Sequence, residues 1–517
     1  MNRTTSLVAV FLLCTIALLT LLVASPIDET AALSEPPTYG EISSLEASDA
    51  LAITQLDAPL DFTPKFTVSL PIVLSSYRPP CSADSPFSIE IAALHQVLPD
   101  EDWDTTERAL AEAEWLERLE QGYPDLVQAL VDSGACWTRV ELKWSQIQPE
   151  PPPAPYNFAF FDERLQLLSD AGIQILAIVH DVPYWAGDQF GPIYPERLPD
   201  FAQFLTDLVN RYQQPPYNIH YWEMFNEPDH EECWGPVGDE YAHMLEYASP
   251  AIKAVDPGAT VLMGGVAYDA FTEYPDGGFN RYFPDDVMAA GGQAFLDATN
   301  FHFFPGFTLE WERWTIGYPP TCGDVEDRLG DSYEAVGVDV MAKASHFRNR
   351  LRVCFNVDKP IWLTEMGEHG FESDLPSLEQ QARYVFQGYA RALAAGMENV
   401  TWFALVSPPY DPWQQGLLYE DDWSPKPAFY AYQTMTSELT GYQYAYALDV
   451  PKAEAYVFRN SAGHERAVAW SWGEVHESAA LTFAPATEVR IVDREGRVSF
   501  IQDGRLGDVD QTPGSVT

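Results

Sequence analysis

Between residues 81 and 440, short apolar runs alternate with longer stretches whose apolar positions recur every three or four residues. The short runs predict strands at Phe87–Leu94, Trp137–Lys143, Ile173–His180, Ile219–Asn226, Thr260–Gly265, Ala298–Phe303, Ile361–Glu365 and Val400–Leu405. Helix-length segments follow them, among them Thr105–Ser133, Tyr241–Val255, Glu379–Ala395 and Lys426–Leu439. Eight such units in series predict an α/β fold, a (β/α)8 TIM barrel with its working loops at the carboxyl ends of the strands. A doubly wound open sheet is the alternative. It is weakened because no glycine-rich phosphate loop follows the first strand.

The texture changes at both flanks. Residues 441–517 carry short alternating runs, Tyr442–Leu448, Glu454–Arg459, Ala467–Trp472, Ala479–Phe483 and Glu488–Val492, which predict a small C-terminal β-sandwich domain. The sequence stops as a further strand begins, so a missing last strand or a truncation is expected. At the other end, residues 1–25 hold an almost unbroken apolar run, Leu7–Ala24, behind Arg3. That is an export signal, or, at the lower limit of length for a span, an uncleaved N-terminal membrane anchor. Residues 26–80 are acidic and rich in Pro and Ser, as in a disordered linker; within them Phe66–Tyr77 could add an isolated strand.

Composition narrows the ligand. With 77 acidic and 29 basic side chains the formal charge is −48, which repels nucleic acid and anionic lipid and favours a neutral or cationic ligand. The same acid also serves as a solvated surface. Fifteen tryptophans suit flat sugar-binding platforms or a large core. Outside the export segment five cysteines remain, an odd number. A rim disulfide between Cys233 and Cys322 is expected, and the spacings do not match a zinc site. The acids Asp229, Glu231 and Glu232 read as a solvated loop, because no calcium-loop spacing is present.

If the strands close into a barrel, their polar end residues meet in one bowl: Arg139 in the second, His180 at the third, Asn226 and Glu227 at the fourth, His302 at the sixth, Glu365 at the seventh and Trp402 at the eighth. Two carboxylates, Glu227 and Glu365, then face each other. Glycosidic cleavage needs such a pair, one to protonate the departing oxygen and one to attack or to activate water. Strand alternation also turns Glu223 inward, where an unpaired carboxylate is costly, so Arg139, or failing that Lys143, is expected to pair with it. Trp144 and Trp185 lie in adjoining loops and are candidates for sugar stacking as well as for packing.

The segment Trp222-Glu223-Met224-Phe225-Asn226-Glu227-Pro228-Asp229 resembles the acid/base strand of the clan A glycoside hydrolases, and Trp362-Leu363-Thr364-Glu365-Met366-Gly367 is similar to their nucleophile strand. Trp137-Thr138-Arg139 through Pro149, Pro183-Tyr184-Trp185-Ala186 and Ser424 through Tyr430 extend the likeness in order from about Pro86 to Leu439. In detail the chain resembles the β-xylosidase and α-L-iduronidase-like barrels, with family 5 cellulase-like enzymes next. The resemblance implies an exported, cofactor-independent, retaining glycosidase acting on a plant- or microbial-type oligosaccharide or polysaccharide. It implies Glu227 as general acid/base, Glu365 as nucleophile, Asn226 on the neighbouring sugar hydroxyl, Arg139 orienting Glu365, His180 and His302 lining the first subsite and Trp402 as its floor. A surface protein that binds carbohydrate without cleaving it, and a transglycosylase using the same residues, are the alternatives. One departure stands out: clan members often carry His-x-Tyr at the sixth strand, and this chain reads His302-Phe303-Phe304. Either another tyrosine, such as Tyr268 or Tyr410, then supplies the missing hydroxyl, or Arg139 mainly sets the ionisation of Glu365.

Overall fold

The computed structural model describes residues 53–56, 81, 84–91, 106–268, 278–305, 338–407, 414–471, 480–483, 485–510 and 512–517. Eight parallel strands form the barrel: β2 (Phe87–Ile89), β3 (Trp137–Lys143), β4 (Gln174–His180), β5 (Tyr221–Met224), β6 (Thr260–Met263), β7 (Thr299–Phe303), β8 (Ile361–Met366) and β9 (Val400–Trp402). Hydrogen bonding runs without a break from β6 through β5, β4, β3, β2, β9 and β8 to β7. Parallel bridges at Leu262–Ala298 and Val266–Phe301 close the ring. The expected (β/α)8 fold is present.

Alternation along the strands builds the interior in storeys. Trp137, Leu176, Leu262, Ala298 and Trp362 pack together as an apolar plug with Tyr221, the Trp137 ring standing edge-on to Trp362 and to Tyr221. Two residues further along β3 and β5 the inward positions are Arg139 and Glu223, so the storey above the plug is charged. Outside, helices present apolar stripes to the strands. In Leu198–Tyr212 the buried residues are Leu198, Phe201, Phe204, Leu205, Leu208, Val209 and Tyr212, one face at helical spacing.

The C-terminal strands β10 (Tyr442–Ala447), β11 (Ala453–Asn460), β12 (Glu465–Ser471), β13 (Glu488–Val492) and β14 (Val498–Gln502) pair antiparallel. Val457, Ala467, Val489, Phe483 and Val516 gather into their own core, as the expected small β-sandwich requires. Two details differ from expectation. Ile53–Leu56, assigned to the linker, is β1 and lies between β12 and β13; the run Ile-Thr-Gln-Leu has the alternation of a strand. Of the run Ala479–Phe483, whose first residue lies outside the described residues, residues 480–483 contribute a bridge between Phe483 and Val516. The export or anchor segment and Phe66–Tyr77 lie outside the described residues, among which no helix is long and apolar enough to cross a membrane.

Cys81 is bonded to Cys136 across the base of the barrel, and Cys354 is also disulfide-bonded. Cys233 is buried and takes no part in a bridge to Cys322, which itself lies outside the described residues. The spacing of cysteines along a chain does not fix which ones meet.

Two outer helices are tied by a buried ion pair. Arg350, in Val340–Phe355, donates from Nε to both oxygens of Asp285, at 2.9 and 2.8 Å, and from Nη2 to Oδ2 at 2.6 Å. Removing one partner leaves the other charge out of water. Asp285→Ala is therefore expected to lower unfolding free energy by about 3–5 kcal/mol, read as a lower midpoint in urea at unchanged slope.

Candidate active site

Arg139 has five N–H donors, and the barrel supplies five acceptors. Nε and Nη2 hold the two oxygens of Glu223 at 2.9 and 3.1 Å. Nη2 also reaches Asn226 Oδ1 at 2.6 Å, and Nη1 donates to Glu365 Oε1 at 2.7 Å and to Glu90 Oε2 at 2.9 Å. The guanidinium and the three carboxylates are all buried. The predicted pairing of Glu223 with Arg139 is observed. Glu223 Oε1 further accepts from Asn300 Nδ2, Thr364 Oγ1 and the Gly265 amide, at 3.1–3.2 Å, so this buried anion is fully engaged.

The end of the fourth barrel strand is not the regular strand the sequence suggests. β5 stops at Met224, and both Phe225 (φ 65°) and Glu227 (φ 40°) take left-handed backbone, a region that side chains other than glycine rarely occupy. The turn is held from outside. Tyr241 donates its hydroxyl to Met224 O and accepts from the Gly264 amide. Asp229, read from sequence as a solvated loop acid, is instead fully buried and accepts the Ala267 and Tyr268 amides at 2.9–3.0 Å. Burial pushes its carboxyl up to about 6, against those amides.

His302, on β7, stands between the two predicted acids. Its Nδ1 is 3.1 Å from Glu227 Oε1 and 3.4 Å from Glu365 Oε2, and Nε2 is 3.2 Å from Thr364 Oγ1. Burial drives its ionisation well below the ordinary histidine range, and the charges of Arg139 and Lys343 add to this. The ring is therefore neutral. With Thr364 donating to Glu223, Nε2–H donates to Thr364 and Nδ1 accepts, an assignment made from the network. That suits a Glu227 carboxyl carrying a proton. The fit is tight: a Cβ on Gly265 would lie 2.1 Å from His302 Nε2.

Burial pushes the Glu365 carboxyl well above the usual range; Arg139 opposes the shift, and Glu90, Glu223 and Glu141 reinforce it. Side-chain atoms of Glu227, His302 and Glu365 converge within 4.8 Å of one another, the spacing of a metal cage. The Arg139 cation already bound to Glu365 opposes a second cation there.

The other predicted residues divide. Asn226 joins the cluster through Arg139. His180 ends β4 half-buried, 3.7 Å from Glu141. Trp144 is buried, packed on Phe201, Phe204 and the edge of Trp185, with its N–H on Gln148; it is core rather than a sugar platform. Trp185 is half-buried and donates to Gln148 O. Trp402 cannot be the floor. It pairs in register with Ile89, and Ile89 faces outward because its neighbour Glu90 faces Arg139. Trp402 is thus buried beneath the helix Leu375–Ala394, near Tyr384, donating to Gln415 O. In place of the missing tyrosine, Phe304 packs against Phe403, and Glu365 Oε2 faces His302. Tyr410 lies outside the described residues. Sequence reading overlooked Glu90, Asn300 and Thr364; their inward parity on β2, β7 and β8 was the available signal.

The buried Asp229 yields a pH test. Its folded-state value lies above the unfolded one, so the native state binds more protons between about pH 4 and 6, and stability declines as pH rises through that window. Measured against Asp229→Asn, the wild type should lose up to about 3 kcal/mol of relative stability between those limits, checked by denaturant melts at successive pH values.

The model of the cellulase family, glycosyl hydrolase family 5, matches residues 103–404. No curated protein matches the chain. Among solved structures it is similar to a family 39 glycoside hydrolase from the gut symbiont Bacteroides cellulosilyticus WH2, at 20% identity over 74% of each chain with a TM-score of 0.56. It is also similar to a glucosidase from Croceicoccus marinus, at 17% identity over 71% of this chain and 70% of that one with a TM-score of 0.46. A monomeric β-xylosidase from Caulobacter crescentus CB15 matches at 15% identity over 73% and 74%, with a TM-score of 0.46. The first likeness is one of fold. The family match covers more than half of the chain and both carboxylate-bearing strand ends, and so the chain is a glycoside hydrolase of clan A and belongs to the cellulase family, glycosyl hydrolase family 5.

Proposed function

We propose that the chain hydrolyses O-glycosidic bonds with retention of anomeric configuration, Glu365 acting as nucleophile and Glu227 as general acid/base. The observation that carries this reading is the separation of the two acids: an oxygen of each lies within 4.8 Å of the other. Retaining glycosidases hold their carboxyl groups about 5–5.5 Å apart, whereas inverting ones leave about 6.5–9.5 Å for a water.

In the first step Glu365 attacks the anomeric carbon while the Glu227 proton passes to the leaving oxygen, which departs as an alcohol. In the second step Glu227 takes a proton from water, the water oxygen bonds to the anomeric carbon, and the ester to Glu365 breaks. Glu365 Oε1 is tied to Arg139 and Oε2 is the attacking atom. Asn226, with its carbonyl on Arg139, turns its amide to the neighbouring sugar hydroxyl. The acidic surface suits a neutral oligosaccharide or polysaccharide, and the apolar run Leu7–Ala24 supports export of the enzyme to meet it.

Glu365→Ala should abolish turnover of an aryl glycoside and be rescued by azide as the glycosyl azide of opposite configuration. Glu227→Gln should lower kcat by about 10²–10⁴ on substrates whose leaving group needs protonation. Unchanged activity in both variants would end this reading. A screen of aryl xylosides, glucosides, galactosides, mannosides and arabinofuranosides, beside glucans, mannans and xylans, identifies the sugar.

A further inference from the structure

Glu90 lies at the end of the first barrel strand, on a position that the two-glutamate reaction does not use. Its Oε2 and Glu365 Oε1 both accept from a single nitrogen of Arg139, at 2.9 and 2.7 Å. The three remaining N–H groups are committed to Glu223 and Asn226. One positive charge therefore faces three carboxylates, each less than 5% exposed. Full ionisation would leave two uncompensated negative charges in a water-poor interior, which is strongly unfavourable.

Of the three, Glu223 is the most fully hydrogen-bonded. It receives both arms of the guanidinium and, in addition, Asn300, Thr364 and Gly265. Glu90 and Glu365 are left to share the one nitrogen Nη1. We propose that Glu90 is a positioning residue for Glu365: by drawing on the same nitrogen of Arg139 it shares one proton with Glu365, and so sets the pH above which the nucleophile is an anion.

The surroundings of Glu90 agree with this. β3 contributes Arg139 and Glu141, β5 contributes Glu223 and β8 contributes Glu365, while β9 meets it through backbone, with Glu90 N on Trp402 O and Leu405 N on Glu90 O. Beyond Glu141 stand Lys143, at 3.9 Å, and His180, at 3.7 Å; beyond Glu365 stand His302 and Glu227. Arg139 is thus the one cation in direct contact with the pair among the described residues. Burial pushes Glu90 up to about 7, opposed by Arg139 and reinforced by Glu141 and Glu223. Glu365 is pushed in the same direction for the same reason. Two acids coupled in this way titrate as a pair, and the acid limb of kcat/KM reports the pair rather than Glu365 alone.

The inference rests on Glu365 as nucleophile, and the test separates the two. Profiles of kcat/KM against pH are measured on the full chain with an aryl glycoside for the wild type, Glu90→Gln and Glu90→Asp. Glu90→Gln removes the competing proton site and keeps an oxygen for Arg139, so its acid limb should move to lower pH by about one unit, a gain of about tenfold relative to its own maximum one unit below the wild-type limb. Glu90→Asp keeps the competing acid, and its limb should stay within a few tenths of a unit of the wild type. A purely structural Glu90 predicts a uniform loss in Glu90→Gln with no displacement, and that result overturns the proposal. If Glu90→Gln does not fold, judged by its melting curve, Glu90→Ala, which leaves room for water, is read in the same way. An unshifted limb alongside an inactive, azide-rescued Glu365→Ala defeats this inference alone; a fully active Glu365→Ala defeats the nucleophile assignment beneath it.

Discussion

Five N–H groups on one buried side chain organise the centre of this barrel. Arg139 rises from β3 and meets acceptors from β2, β5 and β8 and from the turn after β5. A guanidinium is the side chain that can satisfy all of them at once, because its donors are planar, fixed and always charged. A lysine in its place would bring one point charge and three donors to three carboxylates. The arrangement couples fold to chemistry: the contacts that allow acids to be buried at the middle of the barrel also fix where Glu365 points.

That coupling reaches the second acid by way of strained backbone. Glu227 sits in a left-handed conformation that the local sequence would not adopt alone. It is held by the Tyr241 hydroxyl on one side of the turn and by Asp229 on the other. His302 then spans the gap between the acids as a neutral ring, with Gly265 leaving it room. At Glu365 burial works against the anion, and Arg139 opposes that shift.

Much of this was legible in the sequence because it follows from parity and spacing. Eight strand–helix units gave the barrel, and alternation within the fourth strand turned Glu223 inward, where it needed a cation, which proved to be Arg139, although Glu227 lies beyond that strand's regular end. The same alternation, applied from Glu90, would have turned Trp402 outward and removed it as a sugar floor. Trp144 failed as a platform for a different reason: whether a loop aromatic faces solvent or core depends on Phe201 and Phe204, which arrive from a helix more than fifty residues away. Asp229 was misjudged because its partners are backbone amides of Ala267 and Tyr268, and no residue type announces those. The cysteines carried no such parity, and Cys81 found Cys136 by tertiary proximity.

The central claim is that Glu365, held by Arg139, becomes covalently bound to the sugar. A 2-deoxy-2-fluoro aryl glycoside of the preferred sugar, incubated with the full-length enzyme and followed by peptide mass spectrometry, addresses it directly. The account predicts one fluoroglycosyl group per chain, on the peptide carrying Glu365, with inactivation that follows its appearance. A label on Glu227 or on Glu368, or steady turnover of good substrates to the inverted anomer with no label at all, would contradict it.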